Sequence, residues 1–580
     1  MSGEHAIPNG GMKLFLLDAI GPFFRGYKRK RINWSKIPFE HLFDDGGINH
    51  ARMAKIRQDF VVFTARAAEY GFNAISLDDV AHLVPHRQYD AETATFIDSY
   101  RQYFKEFCEI ADENGLQVYV TTDVMYTHPA WAAECRRRSD QINYLADACR
   151  TVLTDFPQVA GIITRIGECD GKDVKEAFRS DLVIKTAEQC RGLLNRLLPV
   201  FEQLGRDLIF RTWTVGAYQI GDLQWNRRTF DRVFTDINSK RLIISMKYGE
   251  SDFFRYLPLN RLFFRTPHRK LVELQARREY EGFGEYPSFI GWDYENYRGQ
   301  IAAAENVCGI SVWCQTGGWT RFRRRTFLKN TSVWNEINTY VALHLFKYSG
   351  TTEDAVSAFC RKYLADSEPA RLLVLLRLSD EVIKELLYVD EFARRKMFFR
   401  RLRVPPLLAV FWDTIIVTHS MRKLLRCFVS DGEQKITQGY AALEKIRLMR
   451  EIAVEQHMPY EDIDFQYATF EQLAAAREYY FGEYSEELAG RLYAMKAQYK
   501  ATFKRSYAVH LDFTEFKVSS RRVRFLANLC LRSQRGYRII DQIVMIRLLT
   551  FIVPLLRIPQ RDFLPRFAGK RAMGISTVLK

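Results

Sequence analysis

The 580-residue sequence predicts an α/β protein: a (β/α)₈ TIM barrel followed by an all-α C-terminal domain. Short β-branched or aromatic segments recur through the first 320 residues and alternate with longer segments of helical spacing. This alternation is typical of parallel strands joined by right-handed crossovers. Eight such segments over about 310 residues favour a closed barrel over an open doubly wound sheet.

The eight predicted strands are, in chain order, KLFLLDA, NAISLDD, LQVYVTTD, VAGIITRIGE, LIFRTWT, RLIISMKYG, PSFIGWD and CGISVWC. From about residue 331 the spacing becomes helical and we predict no strand, which indicates a separate all-α region. The predicted organisation is an N-terminal tail (1–11), a catalytic barrel (12–330), a helical domain (331–520) and a basic amphipathic tail (521–580).

Polar or aromatic residues stand where the predicted strands end. In a (β/α)₈ barrel the carboxyl ends of the strands converge on one rim, and this rim carries the active site. At any single position such a residue also fits a loop start or a helix cap, so the prediction depends on the whole set. The set is Asp18, Asp78, Asp79, Asp123, Glu168, Arg211, Trp213, Lys247, Asp293 and Trp313.

The positive charge of the chain is concentrated at its C-terminus. Lys and Arg number 85 and Asp and Glu number 69, which gives a formal net charge of +16. Residues 521–580 contribute +11 of this total, with 13 Lys and Arg against two acidic residues. Because most of the excess lies in the tail and no recognition motif accompanies it, we expect no nucleic-acid partner.

The tail contains the apolar segment IIDQIVMIRLLTFIVPLL at residues 539–556, which is nearly long enough to span a bilayer. Asp541, Arg547 and Pro554 interrupt it, and charges in mid-membrane are unfavourable. Two alternatives remain: the tail docks on the rest of the protein, or it lies on an anionic membrane surface. The N-terminus lacks the features of a secretory signal, so we expect a cytoplasmic protein, peripheral at the inner membrane surface in the second alternative.

Ten cysteines are spread singly without CxxC spacing, which indicates reduced thiols. The sequence predicts neither a metal nor a cofactor. The apolar stripes and aromatic residues of the helical region fit either a core or a homodimer interface.

Three carboxylates are candidates for chemistry: Glu168 after the fourth predicted strand, Asp252 after the sixth, and Glu279 before the seventh. Hydrolysis of a glycosidic bond needs one protonated carboxyl to donate to the leaving oxygen and one carboxylate to activate water or attack carbon. A barrel rim can place such groups across a substrate. Spacing alone is weak evidence, because the chain has 69 acidic residues.

Several barrel segments carry a resemblance to a known family. They are KLFLLDAIGPFFRGYKRKRINW, YGFNAISLDDV, VAGIITRIGECDGKDV, FRTWTVGAY, KYGESDF and ELQARREYEG. With these segments in order, residues 12 to about 350 resemble the catalytic barrel of glycoside hydrolase family 67, the α-glucuronidases, which release glucuronic acid from xylan side chains. We expect the α+β domain that precedes the barrel in that family to be absent here.

The resemblance implies an inverting mechanism with Glu168 as the general acid. It maps the proposed base to Asp252 or Glu279 and leaves open which of the two it is. The resemblance aligns Arg211 with a family arginine that lies near the uronate carboxylate of the substrate, and Lys247 of the family motif is kept in this sequence. A guanidinium can bind a carboxylate bidentately; alternatively, both cations orient acidic side chains of the protein. The other predicted substrate-binding residues are Asp18, Asp78, Asp79, Trp213 and Trp319.

We therefore expect a carbohydrate substrate and an exo-acting glycoside hydrolase that removes a terminal α-linked uronic acid, similar to glucuronic acid, from an oligo- or polysaccharide. The alternatives are the same hydrolase class acting on another acidic sugar or a neutral sugar, and a non-catalytic carbohydrate-binding barrel. Glu250 and the basic loop GGWTRFRRRTFLKN depart from the family pattern, and both leave the identity of the sugar open.

Overall fold

The structure of the chain, a computed structural model, describes residues 11–19, 39–44, 47–167, 177–214, 218–315, 332–398, 410–411, 414–533, 537–539 and 541. The predicted acid Glu168 and the predicted stacking residue Trp319 lie outside these residues. So do residues 1–10 of the N-terminal tail and 542–580 of the C-terminal tail.

Eight parallel strands close into a barrel in chain order, which confirms the predicted fold class. Every neighbouring pair is parallel, and the last strand pairs with the first. The strands are β1 (Leu14–Ala19), β2 (Ala74–Leu77), β3 (Gln117–Asp123), β4 (Val159–Arg165), β5 (Asp207–Arg211), β6 (Leu242–Lys247), β7 (Arg269–Gln275) and β8 (Val307–Gln315).

Helices connect most of these strands and cover the barrel. The connection from β6 to β7 is different, because its described residues form only the 3₁₀ turn Arg261–Phe264 and no α-helix. The connecting helices are α1 (His50–Tyr70), α2 (Ala91–Glu113), α3 (Arg138–Asp155), α4 (Ala187–Leu204), α5 (Arg227–Phe234) and α6 (Gly291–Ile301).

The seventh strand lies elsewhere than predicted. We predicted PSFIGWD at residues 287–293, whereas β7 has the sequence RKLVELQ and α6 begins inside the predicted segment. In β7, Val272 and Leu274 pack outward in the main core, and Glu273 faces the polar interior of the barrel. Polar residues at the inward positions made β7 resemble a charged helix, because a strand of a parallel sheet is expected to be apolar on both faces.

The barrel interior is apolar towards the amino ends of the strands and polar towards their carboxyl ends. Leu14, Leu16, Ala74, Tyr119, Ile163, Ile209, Ile243 and Leu271 form an apolar cluster inside it. Because inward positions recur every second residue, the next inward position towards the carboxyl end is polar on all eight strands. These residues, here called the polar layer, are all buried: Asp18, Ser76, Thr121, Arg165, Arg211, Ser245, Glu273 and Ser311.

The chain beyond the barrel is mostly helical, as predicted, but it also contains short strands that we did not predict. Its longer helices are α7 (Val333–Tyr348), α8 (Thr352–Tyr363), α9 (Pro369–Val382), α10 (Gly432–Glu455), α11 (Tyr460–Phe481), α12 (Glu486–Thr502) and α13 (Ser520–Cys530). Strands Val410–Phe411, Thr414–Thr418 and Ala508–Asp512 form a small sheet, and Lys396–Met397 pairs with Leu531–Arg532.

A partly buried ion cluster joins the barrel to this helical region. Arg255, after β6, donates to Asp293 Oδ2 at 2.8 Å and to Asp380 Oδ1 at 2.6 Å. Its Nη2 donates to Glu281 Oε2 at 3.1 Å. Lys384, just beyond α9, donates to Asp293 Oδ1 and Asp380 Oδ2, both at 2.9 Å. With Arg278, which donates to Glu281, the ion cluster contains three cations and three carboxylates and is electrically balanced.

Glu281 is the carboxylate at the centre of the ion cluster. Burial by itself raises the pKa of Glu281, but the guanidinium groups of Arg255 and Arg278 outweigh burial and lower the pKa to about 2. Hydrogen bonds from Ser288 (2.8 Å) and Tyr388 (2.9 Å) also go to the carboxylate. A buried charge of this kind is tolerated only when it is paired in this way.

Glu281→Gln should remove a pH-dependent part of the stability. The folded pKa of about 2 lies below the ordinary value of 4.5, so the ionised carboxylate stabilises the fold above that value. The stabilisation is lost as pH falls from about 4.5 towards 2, and its full size is about 3 kcal/mol. We expect the urea-unfolding free energy to fall more steeply over this range in the wild type than in Glu281→Gln. Equal slopes would contradict the assigned role of Glu281.

Candidate functional site

Arg211 of the polar layer is held by carboxylates from two other strands. It forms an ion pair with Asp18, and its Nε lies 3.8 Å from Glu273 Oε1. Ser76 donates a hydrogen bond to Asp18 (2.7 Å), and Ser245 donates one to Glu273 (2.6 Å). Burial lowers the pKa of Arg211, and the charge of Glu273 opposes this effect. Two predicted substrate-binding residues, Arg211 and Asp18, are therefore bonded to each other.

A second charged group lies at the carboxyl ends of β2, β3 and β4. Arg165 Nε lies 2.9 Å from Asp123 Oδ1, and Arg165 Nη1 lies 3.7 Å from Asp78 Oδ1. Thr121 of the polar layer donates a hydrogen bond to Asp78. All four residues are buried, so this group closes its side of the barrel with paired charges.

Asp79 is also buried, and its side chain performs the capping role that was the alternative to substrate binding. Its Oδ1 accepts a hydrogen bond from Ala81 N at 3.0 Å. It thereby caps the 3₁₀ turn Val80–His82. This contact accounts for an acidic residue at the end of the second strand without a substrate.

Lys247, at the end of β6, lies among acidic and aromatic side chains. Its Nζ donates to Asp252 Oδ1 at 2.5 Å. The ammonium lies 4.6 Å from the ring centroid of Trp213, 4.4 Å from that of Phe253 and 5.9 Å from that of Trp313. A cation over an aromatic face is attracted by the quadrupole of the ring. Lys247, Asp252 and Trp213, all predicted site residues, therefore form one group.

Tyr280 bonds one of the two candidate bases, Asp252, and directly follows the other, Glu279, in the chain. Its hydroxyl donates to Asp252 Oδ2 at 2.8 Å, while Asp252 Oδ1 also accepts from Phe253 N at 2.9 Å. Glu279 Oε2 accepts from Gln275 Nε2 at 3.1 Å. Burial and then the charges of Asp252 and Glu279 raise the pKa of Tyr280 well above its ordinary value, so the phenol stays protonated. Asp252 and Glu279 thus lie in the same part of the barrel mouth, although Glu279 follows β7 instead of preceding it.

Sequence reasoning missed two members of the polar layer that organise the site, Arg165 and Glu273. Both occupy inward positions two residues beyond an apolar interior residue, Ile163 and Leu271. Counting every second residue along each strand would have identified them once β7 was correctly placed. The part of the chain that the structure describes contains no cluster of His, Cys, Asp and Glu arranged to hold a metal ion.

Carboxylates outnumber cations in the set formed by the polar layer, its partners Asp78 and Asp123, and the described residues of the predicted site. Each cation is bonded to at least one carboxylate, which leaves an excess of negative charge. The carboxylates are Asp18, Asp78, Asp79, Asp123, Asp252, Glu273 and Glu279, and the cations are Arg165, Arg211 and Lys247.

No profile of a known protein family matches the sequence, and no curated protein matches it. Among solved structures, a family 138 glycoside hydrolase that targets pectin rhamnogalacturonan II matches with a TM-score of 0.52 and 12% sequence identity. The match covers 86% of this chain and spans 63% of that enzyme's chain.

Two further matches are weaker. A family 84 glycoside hydrolase matches with a TM-score of 0.41 and 11% identity, over 89% of this chain and 77% of that chain. The Thermobaculum terrenum O-GlcNAc hydrolase matches with a TM-score of 0.37 and 11% identity, over 88% of this chain and 95% of that chain. Both scores are too low to support an argument. The chain therefore has a barrel fold that a glycoside hydrolase also has, and membership of the α-glucuronidase family is not shown.

Proposed function

We propose that this protein is a glycoside hydrolase, with its active site at the carboxyl-end mouth of the barrel. The observation that supports the proposal most strongly is that two carboxylates follow neighbouring strands at one mouth. Asp252 accepts a hydrogen bond from Tyr280 and lies beside Lys247, whose ammonium lies over the ring of Trp213, and Glu279 directly precedes Tyr280. Carboxylates supply the acid and base of glycosidic hydrolysis, and an aromatic face can stack on a sugar. The fold likeness to an enzyme that targets a pectic polysaccharide agrees with this function.

In the proposed mechanism, Glu168 protonates the leaving oxygen and Asp252 or Glu279 activates water on the other face of the sugar. Three donors, Lys247, Phe253 N and Tyr280, hold the Asp252 carboxylate in one orientation. This inverting arrangement requires the acid and base carboxyl groups to lie roughly 6.5 to 9.5 Å apart.

Each proposed catalytic carboxylate can be tested with aryl and alkyl α-glucuronides. We expect Asp252→Asn or Glu279→Gln, whichever removes the base, to lower kcat by about 10² to 10⁴ on both substrates. Glu168→Gln should lose much less activity on a 2,4-dinitrophenyl glucuronide than on an alkyl glucuronide, because the dinitrophenolate leaving group departs without protonation. NMR of the first-formed sugar anomer tests inversion.

Glu305→Gln is a matched control, because Glu305 is exposed just before β8, at the opposite end of the barrel. It should leave kcat unchanged. Wild-type activity in all three carboxylate variants, or no hydrolysis of any glycoside by the wild type, would contradict the proposed function.

The finer proposal is that the enzyme is exo-acting and that the sugar is a terminal uronic acid. Arg211 Nη1 and Trp313 Nε1 are buried and have no hydrogen-bond partner among the described residues, which leaves donors for a substrate carboxylate. One observation favours the alternative, a neutral sugar: Arg211 and Lys247 are already bonded to Asp18 and Asp252. A uronate would add negative charge beside carboxylates that outnumber the cations in the described part of the site.

Arg211→Gln separates these two substrates. If Arg211 binds a uronate, kcat/KM on an aryl glucuronide should fall by about 10² or more, because a charged hydrogen bond is lost. On the matching aryl glucoside, kcat/KM should fall less than tenfold. Equal losses on both sugars would mean that Arg211 only maintains the polar layer, and would exclude it as the uronate-binding group.

For the basic tail we propose contact with an anionic membrane surface, and α13 supports this choice. Phe525 and Leu526 of α13 are 69% and 52% exposed, beside the exposed cations Arg521, Arg522 and Arg524. Exposed apolar residues flanked by arginine are typical of helices that bind anionic lipid surfaces. None of the helices in the described ranges is long and apolar enough to cross a membrane. The homodimer through the helical region stays a prediction.

Co-sedimentation with lipid vesicles tests this contact. Binding to vesicles containing phosphatidylglycerol should exceed binding to pure phosphatidylcholine, and Phe525→Ser should weaken it severalfold. Leu448→Ser, which removes a 42% exposed apolar side chain from α10, should have no effect. Absence of binding, or equal binding by Phe525→Ser, would contradict the contact.

A further inference from the structure

The loops that carry the two candidate bases have a backbone that must be held in place. They are the Asp252 loop (residues 248–260) and the Glu279 loop (residues 276–290). Tyr256, Arg278 and Phe283 adopt positive φ values of 60°, 51° and 57°. This left-handed region is sparsely populated by residues that carry a Cβ, so it persists only where the surroundings enforce it.

Arg278 links the two loops directly. Its Nη2 donates to the backbone oxygen of Phe253 at 3.0 Å, and the same group donates to Glu281 Oε1 at 2.6 Å. Phe253 follows Asp252 in the chain, and Arg278 precedes Glu279. One buried guanidinium therefore fixes the backbone next to both carboxylates.

Glu281 connects this guanidinium to the helical region. Its carboxylate accepts from Arg278 Nε at 3.0 Å and from Tyr388 Oη at 2.9 Å. Arg255, in the Asp252 loop, also donates to Glu281, and it reaches Asp380 of α9 as well. A continuous chain of buried hydrogen bonds thus runs from the helical region to the residues beside the candidate bases.

We propose that Glu281 is a positioning residue and that the helical region, through Tyr388, sets the placement of Asp252 and Glu279. The inference rests on the proposed function for its catalytic consequence. Glu281 does not contact the sugar in this account; it acts through Arg278 and Arg255 on the two loops. Displacing a catalytic group by about 1 Å can cost about a hundredfold in rate. Loss of the link should therefore lower kcat and change KM little.

Tyr388→Phe is the principal test variant, because it removes one hydrogen bond to Glu281 and retains the ring. Glu281→Gln is the stronger variant. Tyr480→Phe is the matched control: Tyr480 is also buried in the helical region, but its hydroxyl donates to Ile416 O, away from both loops.

Hydrogen exchange of the free protein tests the link without any substrate. Peptides covering residues 250–257 should exchange at least fivefold faster in Tyr388→Phe and Glu281→Gln than in the wild type and in Tyr480→Phe. Unchanged exchange in Tyr388→Phe and Glu281→Gln would overturn the proposal. Because this measurement needs no turnover, it judges the link even if the protein hydrolyses no glycoside.

Kinetics of the folded variants test the catalytic consequence. For Tyr388→Phe we expect kcat to fall about tenfold with KM within twofold of the wild type, whereas Tyr480→Phe should match the wild type. A purely structural role would lower the amount of folded enzyme and leave kcat per folded molecule unchanged, and that result would overturn positioning. If the wild type hydrolyses no glycoside, the proposed function is wrong, and hydrogen exchange alone then tests the link from Tyr388 through Glu281 to the two loops.

Discussion

The balanced ion cluster is the constraint on which the mouth of this barrel depends. In a (β/α)₈ barrel each strand is ordinarily followed by a helix that holds the intervening loop. Among the described residues no α-helix lies between β6 and β7. Arg255, in this connection, bonds instead to Asp380 of the helical region. Removing one member of such a cluster is strongly destabilising, because the remaining charge is left uncompensated. The helical region is therefore part of the framework that holds Asp252 and Glu279.

Pairing of charges also determines where a substrate can bind. Arg211 is bonded to Asp18 within the polar layer, and Arg165 of the layer lies against Asp123 just beyond it. Both arginines of the layer are therefore paired with carboxylates. In the proposed function, the sugar lies above the polar layer, near Lys247, Asp252 and the indole rings of Trp213 and Trp313. At that level a uronate would compete with Asp252 for Lys247, whereas a neutral sugar would meet hydroxyl-binding groups without disturbing the ion pair. In the proposed function, the choice between a uronate and a neutral sugar therefore depends on whether the sugar can displace Asp252 from Lys247, more than on how many cations line the site.

Patterns that depend on local chemistry predicted much of the fold. Seven of the eight strands lie where short β-branched or aromatic segments with polar ends predicted them. The seventh was missed because Glu273 and Gln275 fill inward positions where a strand of a parallel sheet is expected to be apolar. The strand Thr414–Thr418 was missed because its longer pairing, with Ala508–Asp512, is with residues distant in the sequence.

The candidate site was predicted in part. The grouping of Lys247, Asp252 and Glu279 at one mouth followed from strand ends and motif order. The bonding of Arg211 to Asp18 could not be predicted, because it joins strands 193 residues apart in sequence. The role of Glu281 was also hidden, because its partner Tyr388 lies beyond the barrel and no local pattern connects them.

A crystal structure of the Asp252→Asn variant with an aryl glucuronide bound would show directly whether the sugar lies at the barrel mouth between Glu168 and a candidate base. The account predicts the sugar ring above the polar layer beside Trp213, with its anomeric carbon between Glu168 and one of the two candidate base positions, the substituted side chain at position 252 or Glu279. It also predicts a separation of roughly 6.5 to 9.5 Å between the carboxyl of Glu168 and the base position. A sugar bound elsewhere on the molecule, or a Glu168 carboxyl on the same face of the ring as both candidate bases, would contradict it.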